Sequence, residues 1–496
     1  MRRFALAVFV GPAGHRSVPL TRREILQTGL ATASALLSGL GSEMNSAAEP
    51  TARRRVIVVG AGFAGLACGY ELLAAGYDVR VIEARDRVGG RVHSLGQLIP
   101  GKHVEGGGEL LGSNHPHVLA YAAKFGLEFL DVSEDKVAPS PMILGGRKLL
   151  GHEVERIKKE VQAAFQQMTE AARDVVADEP WKTPDAERLD RITMAEWIQQ
   201  QKLSPLAKSL LTLQFTSDNG VSPEKQSYLG NLTLVKGGGL EKFWTDTEVY
   251  RCRGGNQQFA LRFAKEIGEP RLTLNCPVRE ITAGAKEMTV IDAEGRKHPA
   301  DDVVLAIPPS VWSMIKFTPA LPPVLAPQMG MNVKYLAVVQ NRFWRGDKLP
   351  PDAWGDGDIN QTWDGTDGQG EDHELAALVS FSGGPSAEAI HRRAANEQQT
   401  ALLKELEAFY PGFGKHFVKG QLVDWIAEPW TRGGYSFPAP GEVTTIGPVL
   451  RQGIGRLHFA GEHACYQFVG FMEGALHSGA SLAKRLAVRD GIVPKS

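Results

Sequence analysis

Hydrophobic and polar positions near the start of the chain predict one βαβ unit. Residues 56–59 and 79–82 are rich in Val and Ile, which is typical of strands, and residues 64–75 between them have the apolar spacing of a helix. Gly76 follows this helix and is a suitable C-cap, because glycine readily adopts a left-handed conformation. The pattern therefore indicates two parallel strands that are joined by a helix.

Strand and helix signals recur further along the chain in separate blocks. Strands are predicted at residues 271–278, 288–291, 303–307 and 457–460. Helices are predicted at residues 152–176, 194–201, 205–215, 394–409 and 472–488. Residues 331–381 alternate as strands do. We infer an α/β fold in which one discontinuous nucleotide-binding domain is interrupted twice by a second domain of helices and strands.

Composition narrows the class of protein. The chain has 496 residues, of which 43% are hydrophobic and 22% charged, so it is long enough to bury two cores, and its length favours two to three domains. Its net charge of -1, from 55 basic and 56 acidic residues, gives no reason to expect binding to nucleic acid or to an anionic membrane surface. The four cysteines are far apart and form no CxxC pair, so we expect buried free thiols and no metal site.

The N-terminal segment is expected to lie outside the fold. Arg22 and Arg23 precede a short apolar stretch at residues 28–40, and a small-residue site follows at Ser46, Ala47 and Ala48. This order is typical of an export signal, and the paired arginines favour the twin-arginine translocase. We expect residues 1–48 to be an export signal and the protein to be periplasmic or secreted, without a stable membrane anchor. The alternative is an N-terminal segment with no targeting role.

Gly60, Gly62 and Gly65 form a GxGxxG motif between the first predicted strand and its helix. The motif alone is weak evidence for a nucleotide site. A strand before it, a helix after it and Glu83, eighteen residues after Gly65, are together typical of dinucleotide binding. Gly60 allows the tight turn, Gly62 lets the backbone approach a pyrophosphate, and Gly65 lets the helix pack on the strand. The helix N-terminus stabilises the pyrophosphate. Glu83 accepts hydrogen bonds from ribose hydroxyls, which disfavours NADP.

The stretch at residues 87–94 distinguishes a flavin cofactor from a nicotinamide one. Residues 87–94 match the pattern RxGGRxxS/T, in which the paired glycines allow close backbone approach and Arg91 can donate to a phosphate. With the GxGxxG motif, this segment resembles the flavin-containing amine oxidases, a group of monoamine, polyamine and L-amino-acid oxidases. The resemblance implies bound FAD. A surface salt bridge is the alternative role for Arg91, and the side chains of Arg85 and Arg87 are expected to be solvated or structural.

The resemblance extends along the chain and implies further contacts with FAD. Residues 104–109 resemble the family's second glycine segment, Val278 matches a position whose backbone meets the adenine, and Glu462 would hold the ribityl chain. Residues 470–474 would bring a helix N-terminus to the flavin, where it stabilises the charge of the reduced ring. The implied cofactor-binding residues are Gly60, Gly62, Ala64, Gly65, Glu83, Ala84, Arg85, Gly90, Arg91, Gly107, Gly108, Glu109, Val278, Glu462, Phe471 and Met472.

The family's architecture is implied as well. It is a discontinuous Rossmann-like FAD-binding domain of the GR2 type with an α+β substrate domain that contains a mixed sheet and helices. The FAD-binding domain is expected to comprise residues 53–110, 250–309 and 421–490. The substrate-binding domain is expected to comprise residues 111–249 and 310–420.

The resemblance implies oxidation of a carbon–nitrogen bond next to an amine. Hydride passes to the flavin, the imine hydrolyses to a carbonyl compound and ammonia or an amine, and dioxygen is reduced to hydrogen peroxide. Lys334 matches the family lysine that holds a water near flavin N5. Tyr435 and Phe471 match the two walls of an aromatic cage over the flavin face. The alternative for these two rings is an ordinary place in the core.

Two positions depart from the family pattern. Gly434 stands where the mitochondrial monoamine oxidases have the cysteine that bonds to flavin, so FAD is expected to be held non-covalently. Phe471 replaces the tyrosine that is common at the second cage wall, which removes a hydroxyl group and changes the polarity of the cage.

The substrate is predicted to be a small amine. An amino-acid oxidase usually neutralises the α-carboxylate with an arginine, and none occurs in residues 109–112, although Arg342 or Arg432 could serve. Glu109 could attract a second ammonium group or could be structural. The alternatives are an L-amino-acid oxidase, a dehydrogenase that passes electrons to a redox acceptor protein, and a flavin-binding protein without activity.

Overall fold

The architecture comes from a computed structural model, which describes residues 53–133 and 140–492. The predicted export signal at residues 1–48 lies outside the described residues. Within the described part of the chain, no helix combines the length and the apolar character that a membrane span requires.

Twenty strands lie in the described part of the chain, and most are short. They are β1 (Arg55–Val59), β2 (Asp78–Ile82), β3 (Ser94–Leu95), β4 (Val104–Glu105), β5 (Phe129–Asp131), β6 (Met142–Leu144), β7 (Arg147–Lys148), β8 (Tyr250–Cys252), β9 (Leu272–Thr273), β10 (Val278–Ala283), β11 (Met288–Asp292), β12 (Lys297–Ala300), β13 (Asp302–Leu305), β14 (Lys316–Thr318), β15 (Asn332–Val339), β16 (Trp354–Gly355), β17 (Gln361–Asp364), β18 (Ala376–Gly383), β19 (Phe417–Asp424) and β20 (Leu457–Phe459).

Fifteen α-helices lie in the same residues. They are α1 (Phe63–Ala74), α2 (Pro116–Phe125), α3 (Gly151–Ala171), α4 (Ala186–Arg191), α5 (Met194–Gln200), α6 (Pro205–Asn219), α7 (Tyr228–Gly237), α8 (Gln258–Ile267), α9 (Phe343–Gly346), α10 (Gly384–His391), α11 (Ala395–Phe409), α12 (Phe413–His416), α13 (Glu442–Thr445), α14 (Gly447–Gln452) and α15 (Met472–Arg489). Short 3-10 helices connect several of them, at Pro180–Lys182, Pro223–Lys225, Leu240–Trp244, Glu269–Arg271, Pro309–Met314, Glu462–Ala464 and Tyr466–Phe468.

A five-stranded parallel sheet brings together three distant parts of the chain. Its order is β20-β13-β1-β2-β9. Along β1, Val56 and Val58 face the core that holds α1, α8 and α15, whereas Ile57 and Val59 face the core of the four-stranded sheet β12-β11-β10-β14. Both faces are therefore covered, as expected for a parallel sheet. This mixed architecture of a parallel sheet covered by helices and a second sheet agrees with the predicted α/β fold class.

A seven-stranded sheet forms the second large layer, in the order β19-β15-β18-β17-β16-β6-β7. Every residue of β15 and β18 is buried, because one core covers one face of the sheet and a smaller core covers the other. The strands predicted across residues 331–381 are β15 to β18, and the short helix α9 lies between β15 and β16. Helices α3 to α7 pack beside this sheet around a third core.

One predicted strand is broken in the structure. Residues 271–278 form only the two-residue strand β9, and β10 begins at Val278. Asn275 has a φ of 53° and Pro277 has no N–H to donate, so neither residue continues a strand ladder. At another point, β19 runs across the predicted domain boundary between residues 420 and 421.

Candidate functional site

One elongated cavity lies at the carboxyl ends of the parallel strands, which is where ligands bind in open α/β sheets. Fifteen of the sixteen predicted cofactor residues line it, and Gly65 is the exception. Lys334 and Tyr435, predicted to be catalytic, also line it, as does Phe471. The fold therefore brings residues from every predicted cofactor segment into one space.

The turn between β1 and α1 has an open backbone. Gly60 has a φ of 107°, and a Cβ atom there would lie 2.5 Å from the Ala306 oxygen, so this position requires glycine. Gly62 is the N-cap of α1, no side chain caps the helix, and its Cβ position faces open space. Gly65 lies behind this turn, where a Cβ atom would overlap the Gly60 oxygen. The uncapped helix N-terminus is thus free to stabilise an anion.

Glu83 lies at the end of β2 and connects two loops of the cavity wall. Its carboxylate accepts hydrogen bonds from the backbone N–H of Ala61 at 2.7 Å and of Arg85 at 2.9 Å. The Arg85 side chain is only 11% exposed and contacts Thr431 and Glu428, which supports its structural rather than its solvated role. The predicted contact of Glu83 with ribose hydroxyls stays a prediction.

Arg91 and Glu462 form an ion pair in the cavity wall. Arg91 Nη1 donates to Glu462 Oε1 at 2.8 Å and to the Gly434 oxygen at 2.9 Å. Ser436 and the Gly470 N–H donate to the same carboxylate. Burial raises the pKa of Glu462, but Arg91 and these hydrogen bonds outweigh burial and hold the pKa below its usual value. Arg91 is therefore not a surface salt-bridge residue.

Lys334 and Glu109 form a buried ion pair in the cavity wall. The Lys334 ammonium donates to Glu109 Oε2 at 2.7 Å. It also donates to the backbone carbonyl oxygens of Gly107 at 2.8 Å and Glu105 at 3.2 Å. Its three protons thus have three acceptors, all in the second glycine segment. Lys334 therefore ties this segment to β15.

The other oxygen of Glu109 accepts from two further strands. Arg251 on β8 lies 2.7 Å from Glu109 Oε1, and Trp363 on β17 donates to it at 2.8 Å. Burial raises the pKa of Glu109, but Lys334 and Arg251 outweigh burial and hold the pKa below its usual value. The charge of Glu109 is thus neutralised within the protein, which favours its structural role over binding a second ammonium group.

The side chains of Tyr435 and Phe471 are each fixed in position by contacts with neighbouring residues. The Tyr435 hydroxyl donates to the backbone carbonyl oxygen of Asp218 at 3.0 Å, at the end of α6, and accepts from the Asn332 side chain at 3.3 Å. The Phe471 ring packs edge-on against His115, with 5.6 Å between ring centroids. Both rings line the cavity. Phe471 is also the N-cap of α15, so this helix begins at the cavity wall.

The remaining wall carries acidic and amide groups. Asp218, Asn219, Glu248 and Asn332 line the cavity, and within residues 53–133 and 140–492 the cavity-lining arginines and lysines are Arg85, Arg91 and Lys334, each paired with a carboxylate. The two arginines considered for carboxylate binding are not part of this wall. Arg342 is buried against Asp364, and Arg432 is exposed and outside the cavity lining.

Sequence reasoning missed several of these residues. Asn332 lies two positions before Lys334 on the same strand, so the two-residue period of a strand was a usable signal for it. Arg251 is 142 residues from Glu109, and Asp218 lies in an ordinary helix, so local patterns gave no signal for either. His463 directly follows Glu462 and lines the cavity, but the sequence predicts no role for it.

The fold and the cavity define a flavoprotein-type dinucleotide site joined to a substrate domain. The family model for flavin containing amine oxidoreductase matches residues 63–487, and the chain belongs to this family. The protein is accordingly an FAD-dependent enzyme that oxidises amines.

Named relatives cover nearly the whole chain. The flavin-containing amine oxidase B of Homo sapiens is 29% identical over 476 residues, which span 89% of this chain and 87% of the relative. An L-amino acid dehydrogenase of Synechocystis sp. is 26% identical over 468 residues, which span 88% of this chain and 95% of the relative.

Solved structures have the same architecture. Cyclohexylamine oxidase from Brevibacterium oxydans superposes with a TM-score of 0.79 and 27% identity, covering 88% of this chain and 100% of that one. Wild-type putrescine oxidase bound to putrescine superposes with a TM-score of 0.78 and 27% identity, covering 89% of this chain and 100% of that one.

Glu109→Gln tests the ion network. The substitution leaves the buried Lys334 and Arg251 without a carboxylate, which is expected to lower the free energy of unfolding by about 3 kcal/mol at neutral pH. Because the folded-state pKa of Glu109 is lowered, this deficit is expected to shrink as the pH falls below about 4. Urea unfolding of the FAD-loaded protein measures both effects. A variant as stable as the wild type would contradict the coupling.

Glu105→Gln is the matched control in the same segment. Burial raises the pKa of Glu105 to about 7, since it outweighs the hydrogen bonds from Asn256 and Ser94. A raised pKa means that the wild type loses stability as the pH rises through 7, whereas glutamine does not titrate. As the pH rises from 5 to 8, the thermal midpoint of the variant is expected to rise relative to that of the wild type. An unchanged difference would show that Glu105 does not titrate in this range.

Proposed function

We propose that this enzyme oxidises an amine that has no α-carboxylate. The observation that carries the proposal is the pairing of the cations in the cavity wall: among the described residues, Arg85, Arg91 and Lys334 line the cavity, and each is bound to a carboxylate of the protein. A substrate carboxylate would enter this space without a cationic partner, which costs free energy. An amine without a carboxylate does not meet this cost.

The chain's own groups bind and orient the amine. FAD, when bound, accepts hydride from the carbon that carries the nitrogen. Tyr435 and Phe471 form the walls between which the amine lies and from which water is excluded. Lys334 holds the second glycine segment in place through its contacts with Glu105, Gly107 and Glu109. Several features fit FAD: the uncapped N-terminus of α1, the glycine turn at Gly60, and the buried ring nitrogens of His463, which have no hydrogen-bond partner among residues 53–133 and 140–492.

The electron acceptor is proposed to be dioxygen, with hydrogen peroxide as product. This follows the oxidases among the relatives and neighbours, which include a flavin-containing amine oxidase and cyclohexylamine oxidase. The L-amino acid dehydrogenase among the relatives makes a protein acceptor the second candidate. Turnover under dioxygen compared with turnover with an artificial acceptor separates the two.

A matched set of substrates tests the proposal. For each of several side chains, the amine, the L-amino acid and the amino-acid methyl ester are mixed anaerobically with the FAD-loaded protein, and bleaching of the flavin is followed. The amine and the ester are expected to reduce the flavin about 100-fold faster than the amino acid, which corresponds to roughly 3 kcal/mol for an unpaired carboxylate. Faster reduction by amino acids would identify an amino-acid oxidase.

Variants separate the proposed roles within this experiment. Tyr435→Leu is expected to slow reduction by amines at least about 10-fold, because one wall of the cage is lost. Lys334→Met is expected to slow reoxidation by dioxygen more than it slows reduction. If the amine reduces the flavin of Tyr435→Leu as fast as the flavin of the wild type, the cage assignment is wrong.

FAD is proposed to be held without a covalent bond. A Cβ atom at Gly434 would overlap Asn332 Oδ1, so no side chain fits where the mitochondrial monoamine oxidases have the cysteine that bonds to flavin. Of the four cysteines, all buried, Cys276 lines the cavity, next to the Val278 segment. Denaturation with guanidinium followed by ultrafiltration is expected to release all flavin into the filtrate. Flavin that remains on the protein would contradict the proposal.

Residues 1–48 are proposed to direct the folded, FAD-loaded enzyme to the twin-arginine translocase. The proposal rests on Arg22 and Arg23 before the apolar stretch. Expressed in a bacterium with this translocase, the full chain is expected in the periplasm with a shortened N-terminus. The double substitution Arg22→Lys and Arg23→Lys is expected to retain the protein in the cytoplasm. Equal export of both proteins would overturn the proposal.

A further inference from the structure

His463 is a buried polar side chain that the polypeptide leaves unsatisfied. It is 2% exposed and lines the cavity. Within the described residues, neither Nδ1 nor Nε2 has a hydrogen-bond partner. Burial lowers the pKa of His463 to about 4, while Glu462 raises it and Arg91 lowers it further. The imidazole is therefore neutral at physiological pH, with one donor and one acceptor to satisfy.

Packing fixes the position of this ring. The imidazole folds back over Gly461, where a Cβ atom would overlap it. Trp312 packs edge-on against the ring, with 5.6 Å between centroids and 74° between planes. A buried donor or acceptor without a partner costs about 1–3 kcal/mol, so a ring held in this way is stabilised by any ligand that supplies both partners.

The strand order shows which part of FAD passes His463. The cavity wall follows the ends of the strands, with Glu83 after β2, Gly60 after β1, Ala306 after β13 and His463 shortly after β20. Strands lie about 4.8 Å apart, which places the end of β20 roughly 10 Å beyond the pyrophosphate turn and away from the adenine side. The portion of FAD between its pyrophosphate and its ring is the ribityl chain.

We propose that His463 binds the ribityl chain of FAD by donating a hydrogen bond to one hydroxyl and accepting one from another. Hydroxyl groups match a neutral imidazole, because each can both donate and accept, whereas a phosphate only accepts. This inference rests on FAD as the cofactor and adds a ligand beyond Glu462. It makes His463 a cofactor-binding residue.

Binding measurements on the apoprotein test this assignment. The Kd values of FAD and of ADP are measured for the wild type, His463→Leu, His463→Gln and the control His416→Leu. His416 is half-buried, stacks on Phe343 and has an unpartnered Nδ1, but it lies outside the cavity lining. The leucine variant at 463 is expected to raise the FAD Kd at least about 10-fold, and the glutamine variant to keep it within about threefold of the wild type.

ADP is the probe that locates the contact. It contains the pyrophosphate without the ribityl chain, so its Kd is expected to be the same in all four proteins. A second readout uses the folded wild type alone. In ¹⁵N-histidine NMR spectra, the His463 ring signals are expected to shift on addition of FAD but not of ADP.

Four results would overturn the assignment. These are unchanged FAD binding by His463→Leu, equal losses in the leucine and glutamine variants, a parallel loss of ADP affinity, and FAD-insensitive His463 signals. Equal losses would mean that the ring only packs against Trp312, and lost ADP affinity would move the contact to the pyrophosphate. A wild-type protein that binds ADP but not FAD would also overturn the assignment of FAD as the cofactor.

Discussion

The carboxylate of Glu109 is the group on which the arrangement of the cavity depends. It joins Lys334 from β15, Arg251 from β8 and Trp363 from β17, all at 2.7–2.8 Å. Glu109 is 5% exposed, Lys334 5% and Arg251 2%, so none of these charges can exchange its partner for water. A buried charge without its partner is strongly unfavourable. This constraint fixes the second glycine segment, the seven-stranded sheet and β8 in position relative to one another.

The same constraint determines the charge that a ligand meets. Lys334, Arg91 and Arg85 are each bound to a carboxylate of the protein, so these cations are already committed within the wall. Burial and the carboxylates of Asp218 and Glu248 raise the pKa of the Tyr435 hydroxyl. The cavity thus combines an uncapped helix N-terminus, which suits a pyrophosphate, with a wall whose cations are already paired.

Much of the fold and of the cofactor region could be predicted because their signals are local. The glycines at positions 60, 62 and 65 each meet a steric demand within one turn, where a side chain would meet Ala306 or Gly60 or would stand in the ligand's path. The helix at residues 472–488 and the strand at residues 303–307 were also found, with ends displaced by one or two residues. The strand at residues 271–278 was not, because the left-handed Asn275 and Pro277 interrupt it.

The sequence by itself determined the dinucleotide turn, the kind of cofactor and the residues that would surround it, because short motifs contain the steric requirements of close backbone approach. Only the tertiary structure decided how the charges are paired. Glu109 is separated from Arg251 by 142 residues and from Lys334 by 225, and no spacing along the chain predicts such contacts. Whether a buried carboxylate supports the protein or recognises a substrate depends on which cations the fold places beside it, since only an unpaired charge is available to a ligand.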